Sequence, residues 1–255
     1  MAAIHFFGGE KGGAGKSFVC RTAIQYHIDR GIPITVFDTD RSNPDVRRIF
    51  SELSCQVAVF SEGEKYEDTA NAIYNAALTE RVLVNLPAQV FIPVKDWFEK
   101  NGLFEIAPGD GVKFFYWFVC DGGYDSLKLF GRSLEYFQSR VPHILVKNGG
   151  KCDDWESLDK DDFLQAMIAQ DQVKVIDFPK FIGNADRNQI DAKSWTFGQA
   201  RESSEFGSIS RNRVKRFLEG AYTAFESATV FDIDSSPIAV PEKPKTRRRA
   251  STTVA

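Results

Sequence analysis

Residues 8–17 read GGEKGGAGKS, between a short apolar run and a helical pattern. Glycine at this density lets successive backbone N–H groups wrap an anion, because no Cβ blocks the turn or the close approach. A helix that starts where the loop ends adds the positive end of its dipole. Lys16 supplies a cation for β- and γ-phosphates, and the Ser17 hydroxyl a ligand for Mg²⁺. The chemistry is that of a nucleotide-phosphate cradle. It departs from the strict GxxxxGK[ST] pattern where Glu10 replaces the first glycine. Lys11 is a second cation in a loop that already has one. Further on, Asp38-Thr39-Asp40 closes a β-prone run. Carboxylates at the C-terminal end of a parallel strand face the ligand crevice. The same aspartates would also serve as turn or helix caps.

A phosphate loop needs a strand before it and a helix after it. Residues 3–7 are apolar, and Phe18, Val19, Ala23, Ile24, Tyr26 and Ile28 give a helix over 17–30 an apolar face. Gly31-Ile32-Pro33 stops it, and residues 34–37 read as the next strand. That is the β–loop–α–β opening of a parallel sheet. Further strands are expected at 56–60, 81–86, 112–120, 143–147 and 173–178, and helices at 66–79, 94–101, 124–139, 160–170 and 210–226. VKFFYWFVC at 112–120 is the nearly continuous apolar run of a strand covered on both faces. Trp97, Trp155 and Trp195 lie outside it and are candidate partner-surface residues. The fold expected is α/β, a P-loop domain over residues 1–231 with a central, mostly parallel twisted sheet and helices on both faces. Residues 232–255, rich in Pro, Ser and charge, read as a disordered basic tail.

The string Lys11-Gly12-Gly13-Ala14-Gly15-Lys16-Ser17 resembles the deviant Walker A motif, KGGxGK[ST], of the ParA/MinD family of P-loop ATPases. The resemblance implies that ATP and Mg²⁺ are the cofactors and that residues 12–18, ending in Phe18, bind the phosphates. It also implies that Lys11 reaches across a homodimer interface to the partner's ATP. By the same resemblance, Asp40 positions or activates the attacking water and Asp38 supports Mg²⁺ or the dimer contact. RVLVNLPA, residues 81–88, matches the family's Walker B strand and proline, but Asn85 stands in place of the aspartate. Asn can still accept from a Mg²⁺-bound water, without adding negative charge. Slow hydrolysis is the expectation, and Asp38, Asp40 or Asp121 are the compensating carboxylates. HILVKNGG places Asn148 where the family recognises adenine, although an Asn before Gly149-Gly150 would equally serve the turn. VIDFPKFIG is similar to the strand whose following residues, here Pro179, Lys180 and Phe181, line the base pocket.

The net charge of −3 over 255 residues excludes a globally basic nucleic-acid binder. The last fifteen residues carry five cations against one carboxylate, so the remainder is more acidic still. Four cysteines without CxxC spacing speak against a metal cluster and for a reduced, cytoplasmic protein. No apolar run reaches the length of a membrane span, and the prolines of the tail argue against a MinD-like membrane helix. Lys11 argues against a small-molecule kinase. Two readings remain. One is a dimerisation switch that positions DNA or protein cargo, nucleoid-associated if Arg211, Arg213, Lys215, Arg216 and the tail contact DNA. That run would equally suit a solvated helix face. The other is a ParA-like ATPase of conjugative transfer or plasmid mobilisation that acts on an adaptor protein.

Overall fold

The computed structural model describes residues 2–60 and 67–231, with the backbone alone at Glu67. Among them, seven strands form one sheet: β1 Ala3–Gly8, β2 Ile34–Asp38, β3 Gln56–Val57, β4 Arg81–Asn85, β5 Lys113–Cys120, β6 His143–Asn148 and β7 Val173–Phe178. Their order is β3-β2-β4-β1-β5-β6-β7, and every neighbouring pair is parallel. The chain leaves β1 toward β2 on one side and later reaches β5 on the other. The strand order therefore reverses beside the C-terminal end of β1, where open parallel sheets hold their ligands. Register sets Asn85 level with both Phe7 and Asp38, so those three residues meet at the same edge.

The helices are α1 Lys16–Asp29, α2 Asp45–Ile49, α3 Glu67–Ala77, α4 Phe91–Lys100, α5 Leu103–Asp110, α6 Tyr124–Phe137, α7 Glu156–Asp159, α8 Asp162–Ala169, α9 Asn184–Ala192, α10 Phe197–Glu202 and α11 Ser208–Ser227. Strand residues alternate between two cores, as the two-residue period demands. Phe6, Val84, Phe114, Tyr116 and Phe118 join Phe98, Phe130 and Phe137 on the face of α3 to α6. Phe7, Leu83, Trp117, Val119 and Ile176 join Val19, Ile24, Phe217 and Phe225 on the face of α1, α10 and α11. The aromatic run of β5 is thus core on both faces. Each fully buried Phe contributes about 1.5–3 kcal/mol.

The expected strand at 56–60 shrinks to Gln56–Val57, an exposed edge pair, because Ala58 and Phe60 turn into the core. α5 forms across Pro108 and Gly109, residues that read as breakers, since Leu103 and Ala107 bury against the sheet. α2, α7, α9 and α10 are short and their patterns too brief to stand out. Trp97 is core rather than partner surface: it is 5% exposed, and its indole donates to Asn71 Oδ1 at 3.1 Å. Trp155 and Trp195 are partly buried against the two cores. The expected tail from residue 232, and Tyr66 at the expected start of α3, lie outside the described residues.

All three histidines are buried, and burial lowers the pKa of each, His5 included. His27 pairs Nδ1 with the Ala23 carbonyl at 2.7 Å and Nε2 with Arg81 Nη1 at 3.1 Å. The guanidinium can only donate, so Nε2 must accept. Burial, with the Arg81 charge added, lowers the His27 pKa to about 3. Burial likewise lowers His143, packed between Ser133 Oγ and the Val141 carbonyl, to about 4. Below the ordinary value of 6.5 the unfolded chain binds protons that the native state refuses, so stability should fall with pH across that window. Between pH 7 and pH 5 each histidine should remove on the order of 2 kcal/mol. Urea midpoints at the two pH values measure this, and equal midpoints would contradict it.

Candidate functional site

The loop from β1 to α1 is built so that donors are left over. Gly15 is the N-cap of α1 with φ of 100°, and no side chain caps the helix amides. An Ala at Gly15 would be doubly refused, by that backbone and by Asn148 Nδ2 at 2.4 Å from its Cβ. The free amides and the helix dipole point into a cavity of about 460 Å³ lined by Gly12, Gly13, Gly15, Lys16, Ser17 and Phe18. Ala14 is fully buried, and its carbonyl accepts from Asn148 Nδ2 at 2.7 Å. Lys16 is 7% exposed and donates to the Lys11 carbonyl at 3.0 Å. Burial lowers its pKa, and the charges of Asp40 and Glu10 oppose that shift.

The aspartates of the β2 end divide their labour. Asp40 lines the cavity; its Oδ1 accepts from the Ser42 and Asn43 amides, each at 3.0 Å. Asp38 does not line it. Its Oδ1 accepts from Asn85 Nδ2 at 2.9 Å and the Asp40 amide at 3.2 Å, and its Oδ2 from the Arg47 amide at 3.0 Å. Burial raises the Asp38 pKa against those donors. Asn85 is fully buried and likewise absent from the cavity lining; its Oδ1 has no hydrogen-bond partner among the described residues. The structure therefore joins Asp38 and Asn85 to each other, and Asp40 to the cavity. Among the described residues no three His, Cys, Asp or Glu side chains cluster as a metal site.

Asn148, Pro179 and Phe181 all line the cavity, with Lys180. Asn148 is 4% exposed; it braces the loop through Nδ2 and accepts the Gly150 amide through Oδ1 at 3.0 Å. It thus serves its turn and also stands at the cavity wall. Sequence reasoning missed the wall supplied by α9, which brings Arg187, Asn188 and Asp191, and it missed Arg21. Arg21 is 3% exposed and donates to Asp191 Oδ1 at 2.7 Å, while its Nε and Nη2 take no hydrogen bond among the described residues and the guanidinium lies over the Phe197 ring. An arginine inside the apolar stretch FVCRTAI was the available signal. Asp191 also accepts, through its carbonyl, from Arg48 of α2 at 2.9 Å.

Lys11 is absent from the cavity lining. Its ammonium meets Asp121 Oδ2 at 3.0 Å, on the loop after β5, with 42% of the side chain exposed. That bond raises the Lys11 pKa. Burial alone would raise the Asp121 pKa, but the bonds from Lys11 and the Gly123 amide bring it below its ordinary value. In the basic run of α11, Arg213 is held by Asp186 at 3.0 Å and Arg211 by the Ser203 carbonyl at 3.3 Å. Arg216 and Lys215 take no ion pair among the described residues.

Replacing Asn85 by aspartate tests the Asp38 contact. The substitution removes a buried donor and sets two carboxylates against each other, so Asn85→Asp should cost about 3 kcal/mol in the nucleotide-free protein. Chemical denaturation measures the loss. Unchanged stability would mean that the amide of Asn85 is not what holds Asp38.

No protein-family model matches the chain. "Protein MobD" of Acidithiobacillus ferrooxidans is 40% identical over 50 residues, 20% of this chain and 22% of that protein. The match therefore spans about a fifth of that relative's length. Similar solved structures include a nucleotide-binding protein of Archaeoglobus fulgidus in complex with ADP. It is 12% identical with a TM-score of 0.49, covering 76% of this chain and 86% of its own. The MinC:MinD cell division complex of Aquifex aeolicus gives 13%, 0.47, and coverages of 86% and 96%. A candidate plasmid partition protein of Borrelia burgdorferi B31 bound to AMPPNP gives 13%, 0.49, and coverages of 88% and 98%. The chain's own residues show an all-parallel sheet with the glycine- and lysine-rich loop at the point where its strand order reverses.

Proposed function

We propose that this chain is an ATP-binding, slowly hydrolysing switch that dimerises on its nucleotide and positions a DNA or protein cargo. The observation that carries the reading is the division between two lysines of one loop. Lys16 lines the cavity, whereas Lys11 lies outside it, partly exposed and, among the described residues, ion-paired with Asp121 alone. A cation placed there is free to serve a neighbouring subunit's phosphates at the cost of one partly exposed ion pair.

In this reading the amides of residues 12–18 and the Lys16 ammonium hold the phosphates. The cavity fits them: glycine turns, an uncapped helix start and a buried cation stand together. Ser17 is the hydroxyl at the cavity for Mg²⁺, which when bound would neutralise charge on the β- and γ-phosphates. Asp40, whose second oxygen takes no hydrogen bond from the described residues, orients the attacking water. Asp38 and Asn85 contribute by ordering the 39–47 segment, and an amide in place of a carboxylate at 85 accounts for slow turnover. Asn148, Pro179 and Phe181 receive the base. The two further arms of the reading are a domain over 1–231 and a basic tail.

A second reading, an ATPase of plasmid mobilisation acting on a protein partner, is favoured by the match to MobD. It is also favoured by Arg211 and Arg213, half of the basic run, being engaged within the fold. Among the described residues no helix is long and apolar enough to cross a membrane.

Light scattering with ATP, ADP and no nucleotide, repeated with duplex DNA, separates these. A dimer with ATP alone is expected; DNA carried with it supports the first reading, and indifference to DNA the second. Lys16→Ala should abolish ATP binding, and retained affinity would sink the cradle. Lys11→Ala should bind ATP within about threefold of wild type, a change below 1 kcal/mol, yet fail to dimerise. An unchanged ATP-dependent dimer would remove the trans role of Lys11.

A further inference from the structure

Glu10 occupies the position at which the strict phosphate-loop pattern has glycine, and its contacts run away from the cavity. Its carbonyl accepts from the Gln89 amide at 3.1 Å, and its Oε2 accepts from the Phe91 amide at 3.2 Å. Phe91 is the first residue of α4, whose N-cap, Val90, has no side chain able to cap it. The orphan donor at the start of that helix is therefore satisfied from another segment of the chain. Pro93, in the same first turn, has no N–H to offer. The turn before the helix holds Gln89 at φ of 57°, a conformation a side-chain-bearing residue adopts only when its surroundings impose it. The Glu10 carbonyl is one of those surroundings, and the neighbouring Ala88 lines the cavity.

On its other side Glu10 is joined to the cradle. It precedes Lys11, whose carbonyl takes the Lys16 ammonium. A phosphate in the cradle would compete with that carbonyl for the Lys16 protons and release the backbone at 10–11. Glu10 Oε1 takes no hydrogen bond among the described residues, so the carboxylate is held at the helix start chiefly through Oε2 and keeps a second oxygen with which to re-pair after such a release.

We infer that Glu10 is a positioning residue that transmits occupancy of the phosphate loop to the start of α4 by capping that helix from the loop. The inference deepens the nucleotide reading and rests on it.

The test is hydrogen exchange at the amides of residues 89–92 in the full chain, with and without ADP, beside calorimetric titration of ADP. In wild type, ADP should speed exchange at these amides by about fivefold, the size of one lost cap. Glu10→Ala should already exchange at that faster limit and lose the response to ADP, while still binding ADP. Glu10→Gln keeps an acceptor at the same reach and should restore the response. Glu10→Asp keeps the charge but is too short, and should behave like the alanine variant, which secures the test if alanine fails to fold. A wild-type response preserved in Glu10→Asp, or absent from wild type that binds ADP, overturns the inference. If wild type binds no ADP at all, the nucleotide reading itself fails first.

Discussion

The constraint on which the molecule depends is a helix start with no cap of its own. α1 begins at a left-handed glycine, its amides have no side-chain acceptor, and ten of its fourteen residues are buried. A surface helix could repair such an end by fraying into water. This one cannot, because its body is packed between β1, β4, α10 and α11. The unpaired amides therefore stay aimed at the mouth of the sheet, and an anion is the group that satisfies them. The brace from Asn148 to the Ala14 carbonyl fixes the loop from the far side.

Around that fixed point the strand ends carry a polar seam. Asn85 donates to Asp38, Asp38 accepts the Arg47 and Asp40 amides, and Thr39 bonds the Asn85 carbonyl through both its amide and its hydroxyl. A carboxylate at 85 would repel Asp38 unless the pair took up a proton. The amide instead turns a repulsive pair into a hydrogen bond, and it orders the segment that carries Asp40 to the cavity. The amide at 85 is thus one link of the hydrogen-bonded seam that fixes the end of β2.

Much of this was legible from residue order. The glycine-lysine pattern located the loop that walls the cavity, and alternating apolar runs located the sheet, because both are set by local chemistry. The continuous aromatic run of β5 read correctly as a doubly covered strand. What was hidden depends on contacts between distant segments. Arg21 looks like a misplaced charge on an apolar helix until α9 supplies Asp191, and α9 itself is too short and polar to announce a helix. Trp97 looked like a surface aromatic because nothing nearby in sequence reveals Asn71 as the partner of its indole. Pro108 and Gly109 hid α5, since burial of Leu103 and Ala107 outweighs their poor propensity.

Asp191 gives its carboxylate to Arg21 of α1 and its carbonyl to Arg48 of α2, while Asp186 on the same short helix holds Ser210 and Arg213 of α11. α9 is therefore a strut clamped at both ends. The cavity wall, the segment bearing Asp40 and the last helix have no independent free energies of displacement, because moving one strains bonds that belong to the others. The contacts of this nine-residue helix thus tie the cavity wall to α1, α2 and α11 at once, through polar bonds.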